Sequence, residues 1–387
     1  MKPLDYIYLL FLFVISLDPV GAYTHGIKEL LFAILSIYGM ARCVMQKRNL
    51  ITLNRIIVIS VLLLPIWGIF VAILKGNYMD PQYAQAHFKA MLFVFLIFYL
   101  IGTDIKIILK CIWINGIVLA VVTLALYIYS FVNFDFVYNL CVNDNSAFMM
   151  AVNREFLGIP IMGLYFNAGP LIMFAFAYNL YYYKGFLKLP YSILLYIALV
   201  VAGSRTPMLL QTLILLLYFY DSKIIGKKIM KTISFVAILA LLYLTYKLAT
   251  ETGQNEIKYD NMGSYWKNIG EGINMITGAG VGSQFYASGN GEPLSYTELS
   301  YMDILRMYGL IVGTYFIFLY FSPFLKLKPF WKNSLPLRRL LYCYVFFLIL
   351  AGTNPILMGS TGMAGLTLFM AIMQYVCKNR SIDLSFK

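Results

Sequence analysis

The chain has 387 residues, of which 61% are hydrophobic and 12% are charged, and its mean hydropathy is +0.76. This composition excludes an ordinary soluble enzyme and is typical of a membrane protein with many spans. The net charge of +13 is not taken as a sign of nucleic-acid binding, because the positions of the basic residues explain it by membrane topology.

The apolar runs are long and continuous, whereas a lipid-facing β-barrel would alternate apolar and polar residues. We therefore predict an all-α polytopic membrane protein, with residues 1–387 forming a single transmembrane domain in a lipid bilayer. About twelve transmembrane helices are expected, at residues 4–20, 27–46, 56–74, 88–102, 112–132, 164–183, 191–203, 206–220, 232–250, 300–321, 338–352 and 360–377.

The first span could also be a signal peptide, with a small-residue cleavage site at Val20-Gly21-Ala22. An uncleaved span is favoured because it keeps the charge bias consistent along the chain. With both termini in the cytoplasm, most of the 30 lysines and arginines lie on the cytoplasmic side, as the positive-inside rule requires.

Two long connections lie on the external side of this topology, at residues 133–163 and 251–299. The first carries Asp144, Arg154 and Glu155, and the second is polar and rich in glycine and aromatic residues. Loops of this length in a compact protein usually have a function. They favour a catalytic or binding platform over a compact transporter.

A single charge, Arg205, interrupts the apolar run 191–220. An arginine at membrane depth costs roughly 2.5–3.5 kcal/mol and normally has an anionic partner or a wet cavity. The flanking Gly203 and Pro207 predict two short helices that meet at an apex. Each arm of about thirteen residues would extend only ~20 Å, so the apex is expected inside a cavity.

Three arginines, Arg154, Arg205 and Arg306, do not lie on the cytoplasmic side in this topology. Guanidinium groups match phosphate oxygens with paired hydrogen bonds, so the three predict an anionic ligand on the outer side. The alternative is an ion pair within the protein, of Arg154 with Glu155 or Asp144 and of Arg306 with Asp303.

Several motifs follow one another in a characteristic order. Gly203-Ser204-Arg205 ends an apolar helix, and a long loop follows with Tyr265-Trp266, the glycine run at residues 278–282 and Glu298-Leu299-Ser300-Tyr301. Upstream is Gly163-Leu164-Tyr165-Phe166-Asn167. This order resembles the O-antigen polymerase and O-antigen ligase superfamily of membrane glycosyltransferases, over residues 150–315 in pattern and the whole chain in topology.

The resemblance implies a GT-C-like fold in the cytoplasmic (inner) membrane, with two sizeable periplasmic loops and glycosyl transfer on the periplasmic face. The donor would be a glycan on undecaprenyl pyrophosphate and the acceptor a second lipid-linked repeat unit, giving a surface polysaccharide such as O-antigen. A chain-length regulator protein is a further partner that the resemblance implies. Ligases typically carry a His-Asn pair where this chain has Glu298-Leu299, which favours a polymerase over a ligase acting on lipid A–core.

In this scheme Arg205, helped by Arg306 and Arg154, stabilises the charge that develops on the departing pyrophosphate. No Asp-x-Asp pair is present to hold a metal, so we predict metal-independent transfer without a cofactor. Glu298, expected to be partly buried, would accept the proton of the acceptor hydroxyl. Its alternative role is to cap the following helix.

The remaining motif residues are assigned to substrate binding. Ser204, Asn167 and Asp303 would supply polar contacts, and four aromatic rings would stack on sugars: Tyr165, Trp266, Tyr296 and Tyr301. The glycine run is expected to be a flexible loop beside the substrate. The two histidines, His25 and His87, are expected to be interfacial polar residues.

A flippase or secondary transporter is the alternative from another functional class. It would carry charged residues at the midplane of several helices and paired broken helices in two repeated halves. The run 191–220 has a distant counterpart at 338–377, which Gly352-Thr353-Asn354-Pro355 interrupts.

Overall fold

Helices dominate the chain in a computed structural model, which describes residues 2–18, 24–142, 148–156, 159–166, 168–202, 205–222, 254–352, 354 and 356–379, with the isolated positions 232, 236 and 243. The helices in chain order are α1 (Pro3–Leu17), α2 (Ile27–Met45), α3 (Thr52–Leu74), α4 (Pro81–Leu92), α5 (Leu96–Leu100), α6 (Ile105–Ser130), α7 (Phe134–Val142), α8 (Gly169–Tyr181), α9 (Lys188–Val201), α10 (Arg205–Ser222), α11 (Gln254–Gly270), α12 (Asn274–Thr277), α13 (Ser300–Leu327), α14 (Leu335–Gly352) and α15 (Ser360–Asn379). A 3₁₀ turn joins α4 to α5, and another follows α13.

Two short antiparallel hairpins contain the strands found in the described part of the chain. β1 (Phe148–Phe156) pairs with β2 (Ile159–Phe166), and β3 (Phe285–Ala287) pairs with β4 (Glu292–Leu294). The second hairpin lies within the predicted external loop 251–299, whereas the first begins in the predicted loop 133–163 and extends three residues beyond it. The helices α7 and α11 also lie within these two loops. Both predicted loops therefore contain regular secondary structure.

Six segments of the described chain are long and apolar enough to cross a membrane: Thr52–Leu74, Pro81–Leu100, Ile105–Ser130, Ser300–Lys332, Leu335–Gly352 and Ser360–Asn379. The class of helical membrane protein is therefore confirmed, and the count of twelve spans stays a prediction. The predicted span 232–250 lies almost wholly outside the described residues. The span predicted at 164–183 begins only at Gly169, because strand β2 occupies residues 159–166.

The chain divides into two compact units. The first contains Met1–Leu31, Lys106–Thr252 and Leu384–Lys387, and the second contains Phe32–Ile105 and Gly253–Asp383. A single transmembrane domain over residues 1–387 stays a prediction.

Polar pairs between apolar helices organise the first unit. Asn115 of α6 donates to Ser16 of α1 over 2.9 Å, and Trp113 of α6 donates to Asn179 of α8 over 3.3 Å. Because Gly116 has no side chain, α6 also approaches Ala175 of α8 closely. Small residues and interhelical hydrogen bonds are the usual means of packing helices in a membrane.

The helices α9 and α10 form the hairpin predicted around Arg205. Lys188 near the start of α9 donates to Tyr218 near the end of α10 over 3.2 Å, and a second contact joins Tyr196 to Thr212 over 3.1 Å. The arms have 14 and 18 residues, or roughly 21 and 27 Å at ~1.5 Å per residue. The break is confirmed, but α10 begins at Arg205 rather than at residue 206, so Pro207 lies in its first turn, where proline is tolerated.

The second unit is anchored at both ends of α3. At its start, the backbone N–H of Ile51 and the side chain of Asn54 both donate to Gln374 of α15, over 2.9 and 3.1 Å. At its end, Lys75 donates to Asn274 and to the carbonyl of Gly278, each over 2.6 Å. The 23 residues of α3 separate these contacts by roughly 34 Å.

Candidate functional site

Residues 254–299, here called the 254–299 module, fold on the first turns of α13. On one face of α11, Asn261, Tyr265 and Ile269 recur every fourth residue and are all buried. The Tyr265 ring packs on Phe285 of β3 with ring centroids 4.6 Å apart. The module therefore has its own small apolar core, to which Met302 of α13 belongs.

The polar centre of this core is the carboxyl group of Asp303, which is 1% exposed. Tyr265 donates its hydroxyl to Asp303 Oδ1 over 2.6 Å, and the backbone N–H of Thr297 donates to Oδ2 over 3.2 Å. Burial raises the pKa of Tyr265 far above its ordinary value, and the neighbouring Asp303 carboxylate raises it further. Tyr265 therefore keeps its proton and acts as a donor.

Arg306 lies one turn beyond Asp303 and is 0% exposed. Its Nη1 donates to the carbonyl and hydroxyl oxygens of Ser283 over 2.9 and 2.8 Å, and its Nη2 donates to the carbonyl of Ser295 over 2.6 Å. Its Nε lies 4.0 Å from Asp303 Oδ1, and its guanidinium carbon lies 4.5 Å from the centre of the Phe285 ring.

This geometry agrees with the alternative in which Arg306 pairs with Asp303. The guanidinium fastens both sides of the β3–β4 hairpin to α13. Contact with a phosphate would require these hydrogen bonds to open. A catalytic role for Arg306 stays a prediction.

The glycine run is buried against a break in α13 rather than forming a flexible loop. Gly309 has φ 77° and ψ 169°, which is non-helical. The carbonyls of Arg306 and Met307 accept hydrogen bonds from the backbone N–H groups of Ala279, over 2.8 Å, and Gly280, over 3.0 Å. A helix break thus supplies the hydrogen bonds that irregular backbone needs when it is buried.

Glu298, predicted to be partly buried, has a side chain that is 56% exposed, and its Oε2 lies 2.7 Å from Lys258 Nζ. It does not cap α13, whose N-cap is Leu299 without a side-chain hydrogen bond. Asp303 bonds the backbone before the helix instead. Glu298 is therefore a carboxylate that a substrate hydroxyl can reach, whereas Asp303 is enclosed.

Two of the predicted sugar-stacking rings present accessible surfaces. Trp266 is 53% exposed, and Tyr296 is 46% exposed while stacking on Tyr83 with centroids 5.0 Å apart. Tyr301 lies instead against α14, where its hydroxyl donates to the carbonyl of Leu348 over 2.8 Å. Glu298, Trp266 and Tyr296 all belong to the 254–299 module.

The histidines differ from each other. His25 lies exposed in a turn with φ 34°. His87, predicted to be interfacial, is buried in α4, where its Nε2 lies 2.8 Å from the hydroxyl of Tyr308. Hydropathy could not reveal this, because the partner is distant in sequence.

Sequence reasoning did not assign roles to Tyr265, Ser283 or Ser295. The four-residue spacing of Asn261, Tyr265 and Ile269 would have indicated the buried face of α11. The two serines gave no signal, since Ser295 acts through its backbone carbonyl and Ser283 is fixed by the fold of the module.

In the first unit, Arg205 is the first residue of α10. The N-terminal N–H groups of a helix have no partner within it, and the helix dipole favours an anion there. Arg154 lies in β1 opposite Ile161, and Tyr165 lies in β2 opposite Met149. Ser204 and Asn167 lie outside the described residues.

Among the described residues, no group of three or more His, Cys, Asp or Glu side chains is arranged to hold a metal ion. No family model matches the chain, and a search of curated proteins found no significant match.

Proposed function

We propose that the chain is a membrane glycosyltransferase that polymerises oligosaccharide repeat units linked to undecaprenyl pyrophosphate into a surface polysaccharide. The observation that carries the proposal is the position of Arg205. It begins α10 directly after a break between two apolar helices. An arginine at the first position of a helix suits an anionic group such as a pyrophosphate, because the helix dipole and the guanidinium both favour negative charge.

In the proposed reaction, a sugar hydroxyl of one lipid-linked unit attacks the anomeric carbon of the glycan on the other. The bond from that carbon to the pyrophosphate oxygen breaks, and the electron pair leaves with undecaprenyl pyrophosphate. Arg205 stabilises this charge more in the transition state than in the ground state, which is the condition for catalysis. The hydroxyl proton passes to a base.

The second unit supplies features that suit the acceptor chemistry. Glu298 is an exposed carboxylate at the start of a candidate membrane helix, and it is our choice for the base. Trp266 and Tyr296 present aromatic surfaces of the kind that stack on sugar rings. In the proposal the 254–299 module faces the periplasm, both termini are cytoplasmic, and the fold is GT-C-like with about twelve spans.

Two alternatives remain in view. A ligase would use the same donor but transfer polymer to lipid A–core. One observation favours a flippase: a candidate span is broken at Gly309, close to the buried Asp303 and Arg306. Broken helices and buried charges are typical of transport sites.

The test reconstitutes the purified chain with single lipid-linked units from membranes of source cells that lack this protein. A polymerase converts them into a ladder of lipid-linked polymers, a ligase modifies added lipid A–core, and a flippase leaves unit length unchanged. Arg205→Ala should lower polymer formation by roughly 10²–10³-fold, the usual cost of losing a donor that stabilises transition-state charge. Arg205→Lys should be impaired as well, because lysine cannot form paired hydrogen bonds.

The matched control is Lys188→Ala, which removes a cation from the far end of the same hairpin, where Lys188 bonds Tyr218. It should retain the full ladder at equal membrane expression. If both Arg205 variants also retain it, the proposed role of Arg205 is wrong.

A further inference from the structure

A cavity of about 360 Å³ lies in the second unit. Three parts of the chain line it: the α2–α3 connection through Arg48, the α5–α6 connection through residues 100–105, and the last turns of α15 through Gln374 and Lys378. No residue of the proposed transfer reaction contributes to it. The cavity is therefore a separate candidate site.

The cavity lies at the opposite end of α3 from the 254–299 module. Its wall residue Gln374 accepts the hydrogen bond from the Ile51 N–H, which immediately precedes α3. The module is tied to Lys75, which immediately follows α3. Since α3 is roughly 34 Å long, the two sites lie near opposite faces of a bilayer with a hydrocarbon core of about 30 Å.

Positive charge is concentrated around the cavity. Arg48 and Lys378 line the cavity. Arg42 lies directly against the lining residue Gly102, since a Cβ at Gly102 would be 3.0 Å from Arg42 Nη1. The acidic residue in the lining is Asp104. In the described part of the chain, these three cations outnumber the one carboxylate of the lining, so the wall carries a net positive charge.

The basic wall is held in place by the fold. Arg48 donates from Nη1 to the carbonyl of Ile101 over 3.0 Å, which orients its guanidinium. Gln374 donates to the carbonyl of Asn49 over 2.8 Å while accepting from Ile51 and Asn54. A fixed cavity binds a ligand without the cost of ordering its walls.

We propose that this cavity binds the phosphate of an anionic membrane phospholipid. The cavity lies where α5 and α15, both parts of candidate membrane spans, end, and therefore at the depth of lipid headgroups. Basic pockets between membrane helices are the usual sites for such headgroups. The excess of cations favours an anionic headgroup over a zwitterionic one.

The test uses the purified full-length chain and native mass spectrometry with added phosphatidylglycerol, phosphatidylcholine or inorganic phosphate. We expect the protein to retain a bound phosphatidylglycerol. Phosphatidylcholine should not replace this lipid, and millimolar phosphate should not displace it. The double variant Arg48→Gln/Lys378→Gln should bind it about 30-fold more weakly, because each cation contributes about 1 kcal/mol, or a factor of about five.

Lys326→Gln is the control, because Lys326 is an exposed cation at the end of α13 that does not line the cavity. It should bind the lipid like the wild type. Equal retention of phosphatidylcholine by the wild type would overturn the proposal, whatever the folding of the variants. Displacement of the lipid by phosphate would mean a site for free anions. An equal loss of lipid binding in Lys326→Gln would mean unspecific electrostatic attraction. Each of these two results also contradicts the proposal.

Discussion

Replacing Arg306 by methionine should detach the 254–299 module from α13. Methionine keeps most of the apolar stem but removes the three hydrogen bonds to Ser283 and Ser295 and the cation beside Asp303. Because the site is fully buried, the Ser295 carbonyl and the Asp303 carboxylate lose this partner where water cannot replace it. Removing one member of a buried ion pair typically costs about 3–5 kcal/mol.

That free energy should appear as local opening of the module rather than as unfolding of the whole unit. Hydrogen exchange of the full-length protein, read on peptides covering 278–299, should accelerate by roughly 10²–10⁴-fold, at about 1.4 kcal/mol for each factor of ten. Peptides around Asn54 and Gln374 should keep their protection. Lys258→Met is the matched control, because it removes a half-exposed ion pair worth at most about 1 kcal/mol.

The double variant separates the ion pair from the hydrogen bonds. Asp303→Leu alone leaves Arg306 buried without its carboxylate, so it should also be strongly destabilising. Combining it with Arg306→Met removes both charges. The double variant should therefore lose about 0.5–3 kcal/mol less stability than the sum of the losses in the two single variants. Unchanged exchange of residues 278–299 in Arg306→Met, or strict additivity in the double variant, would refute the fastening role.

Two further substitutions test the glycine run and the proposed base. Gly280→Ala should lower stability by about 1–3 kcal/mol in thermal unfolding, because φ is +92° and the new Cβ would lie 2.5 Å from the backbone nitrogen of Ala72. The control Gly263→Ala, on the open side of α11, should not destabilise the protein. Equal melting temperatures of the two variants would show that the glycine run is not packed as described. Glu298→Gln should slow polymer formation by roughly 10²–10⁴-fold and cost at most about 1 kcal/mol of stability from the ion pair with Lys258. The exposed Glu256→Gln should be neutral, and a fully active Glu298→Gln would exclude this carboxylate as the base.

Local backbone chemistry explains which parts of the fold could be predicted. Hydropathy indicates helices because a backbone in lipid must satisfy its own hydrogen bonds. The break before Arg205 was predictable from Gly203 and Pro207, which act on their immediate neighbours. The start of α8 was predicted five residues too early, since the apolar residues of β2 continue directly into the helix.

The candidate site depends on contacts between residues far apart in sequence, and it was predicted only in part. The pairing of Arg306 with Asp303 was foreseen only as the alternative to a phosphate contact, and the separation of three residues places both on one helix face. Nothing local showed that the same guanidinium would bind Ser283 and Ser295. Exposure of Glu298 likewise depends on how the whole module folds.

The break at Gly309 gives α13 two different roles. Residues 300–308 belong structurally to the 254–299 module, through Asp303 and the carbonyls that accept hydrogen bonds from the glycine run. Residues 310–327 are enough for roughly 27 Å of helix and can cross most of a bilayer by themselves. Lys75, which immediately follows α3, donates to the carbonyl of Gly278 close to this break, so Asp303 and Arg306 lie towards the end of α3 rather than beside its middle. A transporter would hold its charges near the midplane, and this position therefore favours a site at one membrane face, as glycosyl transfer between lipid-linked substrates requires.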